Sequence, residues 1–83
     1  MSYEIVKQAK NRCVGTKKVT KTVEQGKAIE VFVSKDADPR LTINLVALCT
    51  QKGIPVTYVD SMKMLGKACG IEVGAAVAAV VNE

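Results

Sequence analysis

The run at residues 75–81, which reads AAVAAVV, contains no polar side chain and constrains the fold more than any other segment. A strand with one face open to water alternates apolar and polar residues, because successive side chains point to opposite faces. A uniformly apolar run is instead typical of a strand that is covered on both faces. The run therefore predicts a buried central strand.

Helical and strand-like patterns alternate along the rest of the chain. The predicted helices cover residues 3–12, 17–25, 39–52 and 62–69, and the predicted strands cover residues 29–34 and 56–59, with 13–14 as a short edge strand. Such alternation predicts a partly parallel sheet with helices on both faces. The expected fold class is α/β, a three-layer α-β-α sandwich with a mixed sheet of about four strands, in a single domain over residues 1–83.

Capping residues mark the helix ends. Asp38 followed by Pro39 is typical of a helix start, Ser61 is expected to cap the short helix after it, and Gly26, Gly53 and Gly70 follow the predicted helices. Within the predicted helix 39–52, the helical spacing places four residues in the core, namely Leu41, Leu45, Leu48 and Cys49. Ligands of such folds bind at helix N-termini and in the loops after strand ends.

Cys13, Cys49 and Cys69 are widely spaced, and the chain has no Cys-x-x-Cys pair and no His. This composition argues against a zinc site of the usual kind. All three lie among apolar neighbours and are interpreted as small core residues, which indicates a reducing, cytoplasmic location. No apolar run is long enough for a signal peptide or a membrane span. We therefore expect no metal, no cofactor and no membrane partner.

Positive charge is concentrated near the start of the chain. Residues 7–27 carry seven cations and one anion, a net charge of +6, whereas the other residues carry five cations and seven anions, a net charge of −2. A local basic patch indicates a nucleic-acid partner better than a high isoelectric point does, although such a cluster can also be a solvated face.

The segment GTKKVTK at residues 15–21 is interpreted as a helix start with a cationic face. Gly15 would allow a tight backbone approach, and Thr16 could cap the helix with its side chain. Lys17, Lys18 and Lys21 would share a face at the end of a helix that repels cations. We expect a polyanion to supply the missing negative charge.

The residues argue against catalysis, because without His no Cys or Ser has the usual activating base. The glycine-bounded segment GKACG at residues 66–70 lacks the spacing and the Ser or Thr of a P-loop, so Gly66 is interpreted as a close-packing residue. Three aromatic residues, Tyr3, Phe32 and Tyr58, are too few for a base-stacking sheet. An RNA-binding function would then depend on shape and groove edges.

The glycine-bounded loop at residues 70–74 has two interpretations. Ile71 and Val73 either fold into the core or form an exposed apolar contact for a partner such as an unstacked base. The sequence leaves both open. It also leaves two other functions open: a protein-interaction module that uses Ile71 and Val73, and a small enzyme acting on RNA or nucleotides through Asp36 or Glu72.

Four segments together resemble the L7Ae ribosomal protein family. They are residues 15–21 (GTKKVTK), 35–39 (KDADP), 53–56 (GIPV) and 65–71 (LGKACGI), and the resemblance covers nearly the whole chain. The short length is similar to that of the bacterial members. The resemblance implies the same α-β-α sandwich and, as partner, a kink-turn, an RNA duplex sharply bent at a three-nucleotide bulge beside tandem sheared G·A pairs. The kink-turn could belong to ribosomal RNA, a riboswitch or another structured RNA. We expect a monomer, since a domain of 83 residues can stand alone, although the sequence leaves the oligomeric state open.

The resemblance also implies roles for individual residues. Gly15 and Thr16 would let the helix start enter the major groove at the G·A pairs. There, Lys17, Lys18 and Lys21 would contact guanine edges and the RNA backbone. Lys35 and Asp36 would lie beside the RNA. The loop that covers the bulged nucleotides matches four residues, Ile71, Glu72, Val73 and Gly74.

The chain departs from the family pattern at one place. Archaeal and eukaryotic members of this family usually carry Asn-Glu where this chain has Lys17-Lys18. Glu accepts hydrogen bonds from guanine amino and imino groups, and Lys cannot. We therefore expect binding that depends more on charge and shape, with a steep salt dependence.

Overall fold

A computed structural model describes residues 11–81 of the chain. The described part contains four strands and three helices in alternating order: β1 (Arg12–Val14), α1 (Thr16–Glu24), β2 (Ala28–Ser34), α2 (Pro39–Lys52), β3 (Val56–Val59), α3 (Met62–Ala68) and β4 (Val77–Val81). Each predicted strand and each predicted helix within these residues is present, with boundaries that differ by at most two residues.

The four strands form one mixed sheet in the order β1-β4-β2-β3. β4 is antiparallel to both of its neighbours, with Cys13 opposite Ala79 on β1 and Phe32 opposite Ala78 on β2. β2 and β3 are parallel. The apolar run at 75–81 thus supplies a central strand, as predicted, and Val77, Ala78 and Ala79 are fully buried.

Helices cover both faces of the sheet. On one face, α1 and α2 pack Val19, Val23 and Leu45 against the strands, with Cys49 beside them. On the other face, α3 packs Leu65 against Phe32. The predicted three-layer α-β-α sandwich is therefore confirmed, and two layers of apolar side chains, one on each side of β4, hold it together.

Two sequence expectations differ from what the structure describes. The predicted helix at residues 3–12 lies outside the described residues except at its end, where Arg12 belongs to β1. The prediction that Leu41 is buried is wrong, because Leu41 is 55% exposed and the neighbouring Thr42 is buried instead. Thr42 occupies this inward position because its hydroxyl donates to the carbonyl of Pro39 (3.5 Å), which satisfies the polar group locally.

None of the helices within residues 11–81 is long and apolar enough to span a membrane.

Candidate nucleic-acid interface

The sheet topology brings the three helix starts to one edge. β1, β2 and β3 all run in the direction opposite to β4, so their carboxyl ends lie at the same edge of the sheet as the beginning of β4. Each of these three strands is followed directly by a helix. This edge, which we call the loop edge, therefore carries the starts of α1, α2 and α3 together with the 71–76 segment that precedes β4.

Except for Lys21, which lies in the last turn of α1, the predicted binding residues are distributed over this loop edge. Residues 15–18 follow β1, Lys35 and Asp36 follow β2, and residues 71–74 precede β4. These segments are far apart in the sequence, but the topology places all of them along one side of the molecule. The opposite edge carries Lys27 and Lys52, which precede β2 and end α2.

Gly15 begins α1, and the predicted capping role of Thr16 is wrong. Gly15 is the N-cap residue with φ 104° and ψ 139°, and Thr16 is the first helical residue. A φ in this range suits glycine and strains any residue that carries a Cβ. Because Thr16 already has helical geometry, its hydroxyl cannot reach forward to a free N–H, and within residues 11–81 no side chain caps α1.

The lysines of α1 are exposed, but they do not all crowd the helix start. Lys17 and Lys18 lie in the first turn, whereas Lys21 belongs to the last turn of this nine-residue helix. A cation in the last turn is favourable, so Lys21 does not share the electrostatic conflict that was expected for all three. Lys17 and Lys21 remain neighbours on one face, four residues apart.

The first turn of α1 is consequently an electropositive surface. The first three helical N–H groups have no carbonyl one turn earlier in the helix to accept their hydrogen bonds. No acidic residue is present in this turn to balance the helix dipole. Buried Val19 and Val23 hold the helix against the sheet, so the polar face points away from the core. Such a surface can bind phosphates and other hydrogen-bond acceptors.

Asp36 connects the end of β2 to the start of α3. Its carboxylate accepts a hydrogen bond from the backbone N–H of Met62 (Oδ1 to N, 2.8 Å). Lys35 is exposed, and its backbone N–H donates to the carbonyl of Val59 (2.8 Å). The Asp36 side chain therefore fixes the α3 start, while the Lys35 side chain is displayed at the loop edge.

The 71–74 loop is held closely against α3. A Cβ on buried Gly66 would collide with the backbone carbonyl of Val73, so only glycine permits this approach. The N–H of Ile71 donates to the carbonyl of Gly66 (3.0 Å), which adds a backbone link. The prediction that Gly66 serves close packing is therefore confirmed.

The same packing leaves the apolar side chains of the loop accessible. Val73 is 71% exposed and Ile71 is 37% exposed. Glu72 and Gly74 are exposed as well. The interpretation that both side chains fold into the core is therefore wrong for Val73, and Ile71 is only partly exposed.

Buried hydrogen bonds join the segments of the loop edge. Ser34, which is 2% exposed, donates from its hydroxyl to the carbonyl of Ala75 (2.7 Å) and from its N–H to the carbonyl of Ala76 (2.9 Å). The N–H of Gly15 donates to the carbonyl of Val77 (3.2 Å). The α1 start, the end of β2 and the segment before β4 are therefore parts of one connected surface.

Sequence reasoning did not identify Ser34 or Met62 as supports of this surface. Ser34 reads as the polar end of a strand, and only its contact with Ala75, 41 residues further along, shows its role. The Met62 contribution is a backbone N–H, which no side-chain pattern reveals.

Two of the three cysteines are buried in the core and the third is partly buried. Cys49 and Cys69 are buried, and burial raises the pKa of both thiols. Cys13 is partly buried and lies within 3.5 Å of the Thr22 hydroxyl. Within residues 11–81, no group of three or more Cys, Asp or Glu residues comes together in a way that could hold a metal ion.

The chain is similar to known proteins over nearly its full length. A protein of Halalkalibacterium halodurans named as an RNA-binding protein is 52% identical over 80 residues, which cover 96% of this chain and 98% of the relative. The RNA-binding protein YbxF of Geobacillus stearothermophilus is 47% identical over 82 residues, which cover 99% of this chain and all of the relative.

Two solved structures share the fold. The Giardia lamblia 15.5kD RNA binding protein matches with a TM-score of 0.89 at 32% identity, covering 99% of this chain and 72% of its own. A Bacillus halodurans protein described as of unknown function matches with a TM-score of 0.83 at 29% identity, covering 96% of this chain and 80% of its own. Residues 3–83 match the Ribosomal protein L7Ae/L30e/S12e/Gadd45 family. On these grounds, the chain belongs to the L7Ae family.

Proposed function

We propose that this protein is a non-catalytic RNA-binding protein that recognises kink-turns and stabilises their bent form. The observation that carries the proposal is the loop edge, where the electropositive α1 start and the exposed apolar 71–74 loop belong to one hydrogen-bonded surface. Relatives that are named RNA-binding proteins and cover nearly the whole chain support RNA as the partner.

The two parts of the surface match two parts of a kink-turn. The sheared G·A pairs present guanine O6 and N7 acceptors in a widened groove, and Lys17, Lys18 and the free N–H groups of α1 are donors. The bulge presents unstacked bases, and exposed Val73 offers an apolar surface to cover one. Binding that favours the bent RNA shifts its population towards the kink.

Lys17 and Lys18 determine how this chain would differ from relatives that carry Asn-Glu. A lysine donates hydrogen bonds but accepts none, so it reads guanine O6 and N7 and not the guanine amino group. Its charge also interacts with phosphates whatever the sequence. We therefore propose that charge and shape contribute a larger share of the affinity here, which gives a steep dependence on salt.

A non-catalytic role agrees with the side chains available. The chain has no His, and the buried thiols of Cys49 and Cys69 have raised pKa values, the opposite of an activated nucleophile. The Asp36 carboxylate, one of the two acids considered for catalysis, already accepts a hydrogen bond from the Met62 N–H. We propose that the protein acts as a cytoplasmic monomer on ribosomal RNA, a riboswitch or another structured RNA.

A titration of the purified protein against two duplexes of equal length tests the proposal. One duplex carries a kink-turn, and the other has its sheared G·A pairs replaced by Watson–Crick pairs. We expect the kink-turn to bind at least a hundredfold tighter, roughly 2.7 kcal/mol of discrimination. Equal and weak binding to both duplexes would contradict kink-turn recognition and leave only a generic basic surface.

The exposed loop allows a second test with a matched control. Val73→Ser should leave the free energy of unfolding within about 0.5 kcal/mol of wild type, because Val73 is largely exposed. The same change should weaken binding to the kink-turn. Ile29→Ser, which alters an equally apolar and 53% exposed residue near the opposite edge, should leave RNA affinity unchanged.

A further inference from the structure

A groove of about 230 Å³ lies between α2 and β3. Its walls include Val33 and Tyr58 from the sheet and Ile43 and Val46 from α2. Because β3 is the strand farthest from β1 in the sheet, the groove lies across the sheet from the α1 start. Lys35, which follows β2 at the loop edge, lines the groove as well. The groove therefore meets the loop edge where Lys35 is displayed.

The groove has an aromatic wall and one cation. Tyr58 is 53% exposed and Ile43 is 64% exposed, so both side chains offer apolar surface to solvent. Among the described residues that line the groove, Lys35 is the one that carries a charge. A flat aromatic surface beside a cation suits a ligand that combines a planar ring with an anionic group.

We propose that this groove binds one unpaired nucleotide of the bound RNA, with its base against Tyr58 and Ile43 and its phosphate at Lys35. The inference rests on the proposed RNA-binding function and adds a contact outside the α1 start and the 71–74 loop. It assigns Tyr58 a direct role in binding a base. It also gives the bound RNA a path along the loop edge, from α1 across the sheet to β3.

Three observations favour a nucleotide over a segment of a partner protein. The groove continues from the loop edge, where the Lys35 side chain is exposed, so an RNA strand bound at that edge can reach the groove without leaving the surface. The volume is below the roughly 300 Å³ at which pockets for drug-sized ligands begin, which suits a single planar base. The positive charge of Lys35 complements a phosphate.

Substitution of Tyr58 tests the proposal with a matched pair of variants. Tyr58→Leu removes the ring but keeps an apolar side chain, whereas Tyr58→Phe keeps the ring and removes only the hydroxyl. For the kink-turn duplex, we expect Tyr58→Leu to lower the affinity by about tenfold and Tyr58→Phe to change it by less than about twofold. Unfolding in urea, measured for both variants, verifies that each is folded.

A series of RNAs identifies the nucleotide. Each unpaired position of the kink-turn, and each position of a short single-stranded extension, is made abasic in turn. One abasic RNA should bind wild-type protein about tenfold more weakly and should show no further loss with Tyr58→Leu. Equal loss with Tyr58→Leu for every abasic RNA would overturn the proposal, since Tyr58 would then act without a base.

Tyrosine fluorescence gives an independent readout. The chain has no Trp and two Tyr, so Tyr3→Phe leaves Tyr58 as the only tyrosine. RNA binding should quench the emission of this variant, and the abasic RNA identified above should not. Unquenched emission on a tightly bound kink-turn would overturn the proposal and leave the groove to another partner, such as a protein. Failure of wild-type protein to prefer the kink-turn would instead refute the proposed function, and this inference with it.

Discussion

The starts of α1 and α2 lie at the same edge of the sheet, but their chemistry is opposite. Asp38 caps α2 by accepting the N–H of Arg40 (Oδ1 to N, 2.9 Å), and the Arg40 side chain pairs with the same carboxylate (2.9 Å). Pro39 occupies the first position of α2, where a missing N–H costs nothing. α1 begins at Gly15 without a side-chain cap in the described chain and carries Lys17 and Lys18 in its first turn.

The start of α2 is capped by its own residues, whereas the start of α1 has N–H groups that can bind a ligand. Among the helices of residues 11–81, α2 and α3 satisfy their first turns with Asp38 and Ser61, while α1 leaves its first N–H groups open. An uncapped, cationic start is unfavourable for the isolated protein. We infer that the start of α1 lowers the stability of the free protein and in return can bind an anion. The phosphates of an RNA supply such anions.

The largest expected effect comes from removing the cations of α1. Changing Lys17, Lys18 and Lys21 together to Ala should weaken kink-turn binding by roughly a hundredfold, at about 1 kcal/mol per lysine. The log-log salt slope should fall by about one per lysine removed. The free energy of unfolding should stay the same or rise by less than about 1 kcal/mol, because Lys17 and Lys18 are unfavourable at the helix start whereas Lys21 is favourable in the last turn.

The control for this variant is Lys27→Ala with Lys52→Ala, at the opposite edge of the sheet. This pair should leave kink-turn affinity within about threefold of wild type, apart from a small long-range electrostatic effect. A comparable loss in the control would show that overall charge, and not the α1 start, determines the affinity.

Gly66→Ala tests whether the loop beside these helix starts must pack closely. The added Cβ would collide with the Val73 carbonyl, so the 71–74 loop has to move. We expect a loss of about 1–3 kcal/mol in the free energy of unfolding, together with weaker kink-turn binding. Gly26 lies away from the loop edge and has a positive φ of 72°, which strains any residue with a Cβ. Gly26→Ala should therefore reduce the stability and leave the RNA affinity unchanged. Equal RNA affinities for the two variants would contradict the role of the loop.

A pair of hydroxyl deletions tests the difference between capped and uncapped helices. Ser61 accepts the N–H of Met64 (Oγ to N, 3.1 Å), so Ser61→Ala should lower the free energy of unfolding by about 1 kcal/mol. Thr16 has no capping bond, so Thr16→Ala should change it by less than about 0.5 kcal/mol. Thermal and urea unfolding measure both changes. An equal loss in the two variants would show that the α1 start depends on Thr16 after all.

Charge reversal in the first turn of α1 should raise the stability of the free protein and lower its affinity for RNA. Lys17→Glu places an anion where the helix dipole favours one and should stabilise the free protein by about 0.5 kcal/mol. The same change should weaken kink-turn binding, because a carboxylate faces phosphates. Lys17→Gln, which is neutral, should lie between wild type and Lys17→Glu in both stability and RNA affinity. A Lys17→Glu variant that is less stable than wild type would contradict the claim that the cationic start of α1 is unfavourable for the free protein.

The smallest effect is the pH dependence at the α2 start. The hydrogen bonds from the Arg40 side chain and N–H hold the pKa of Asp38 below its ordinary value. The carboxylate therefore contributes stability above the ordinary pKa, and this contribution disappears as the pH falls through the lowered value. Asp38→Asn keeps a capping oxygen but does not titrate, so its urea midpoint should fall less than that of wild type between pH 6 and pH 3. Parallel decreases would contradict this assignment.

The sequence predicted the sheet and helices because their patterns are local. The apolar run at 75–81, the Asp38-Pro39 start and the glycine after each helix all act within one element, and the structure confirms them. Leu41 shows where local periodicity fails, since the side of α2 that faces the sheet includes Thr42 in its place.

The candidate site was only partly predictable from the sequence. The lysines and the 71–74 loop stand out by charge and by flanking glycines. The contacts that bring them together involve backbone groups of Met62, Ala75 and Ala76, which no residue pattern identifies. Thr16 was predicted to be the N-cap, but Gly15 occupies this position. The reason is that Gly15 has a positive φ and the helix begins one residue earlier than expected.

The contrast between the α1 and α2 starts can be tested residue by residue. An NMR titration of the ¹⁵N-labelled protein with the kink-turn duplex reports on each backbone amide. We predict the largest shifts for residues 15–18 and 71–74, and small shifts for the Arg40 amide, which Asp38 already binds. Shifts that are largest at the α2 start, or that spread evenly over the surface, would contradict the claim that α1 supplies the open end for RNA.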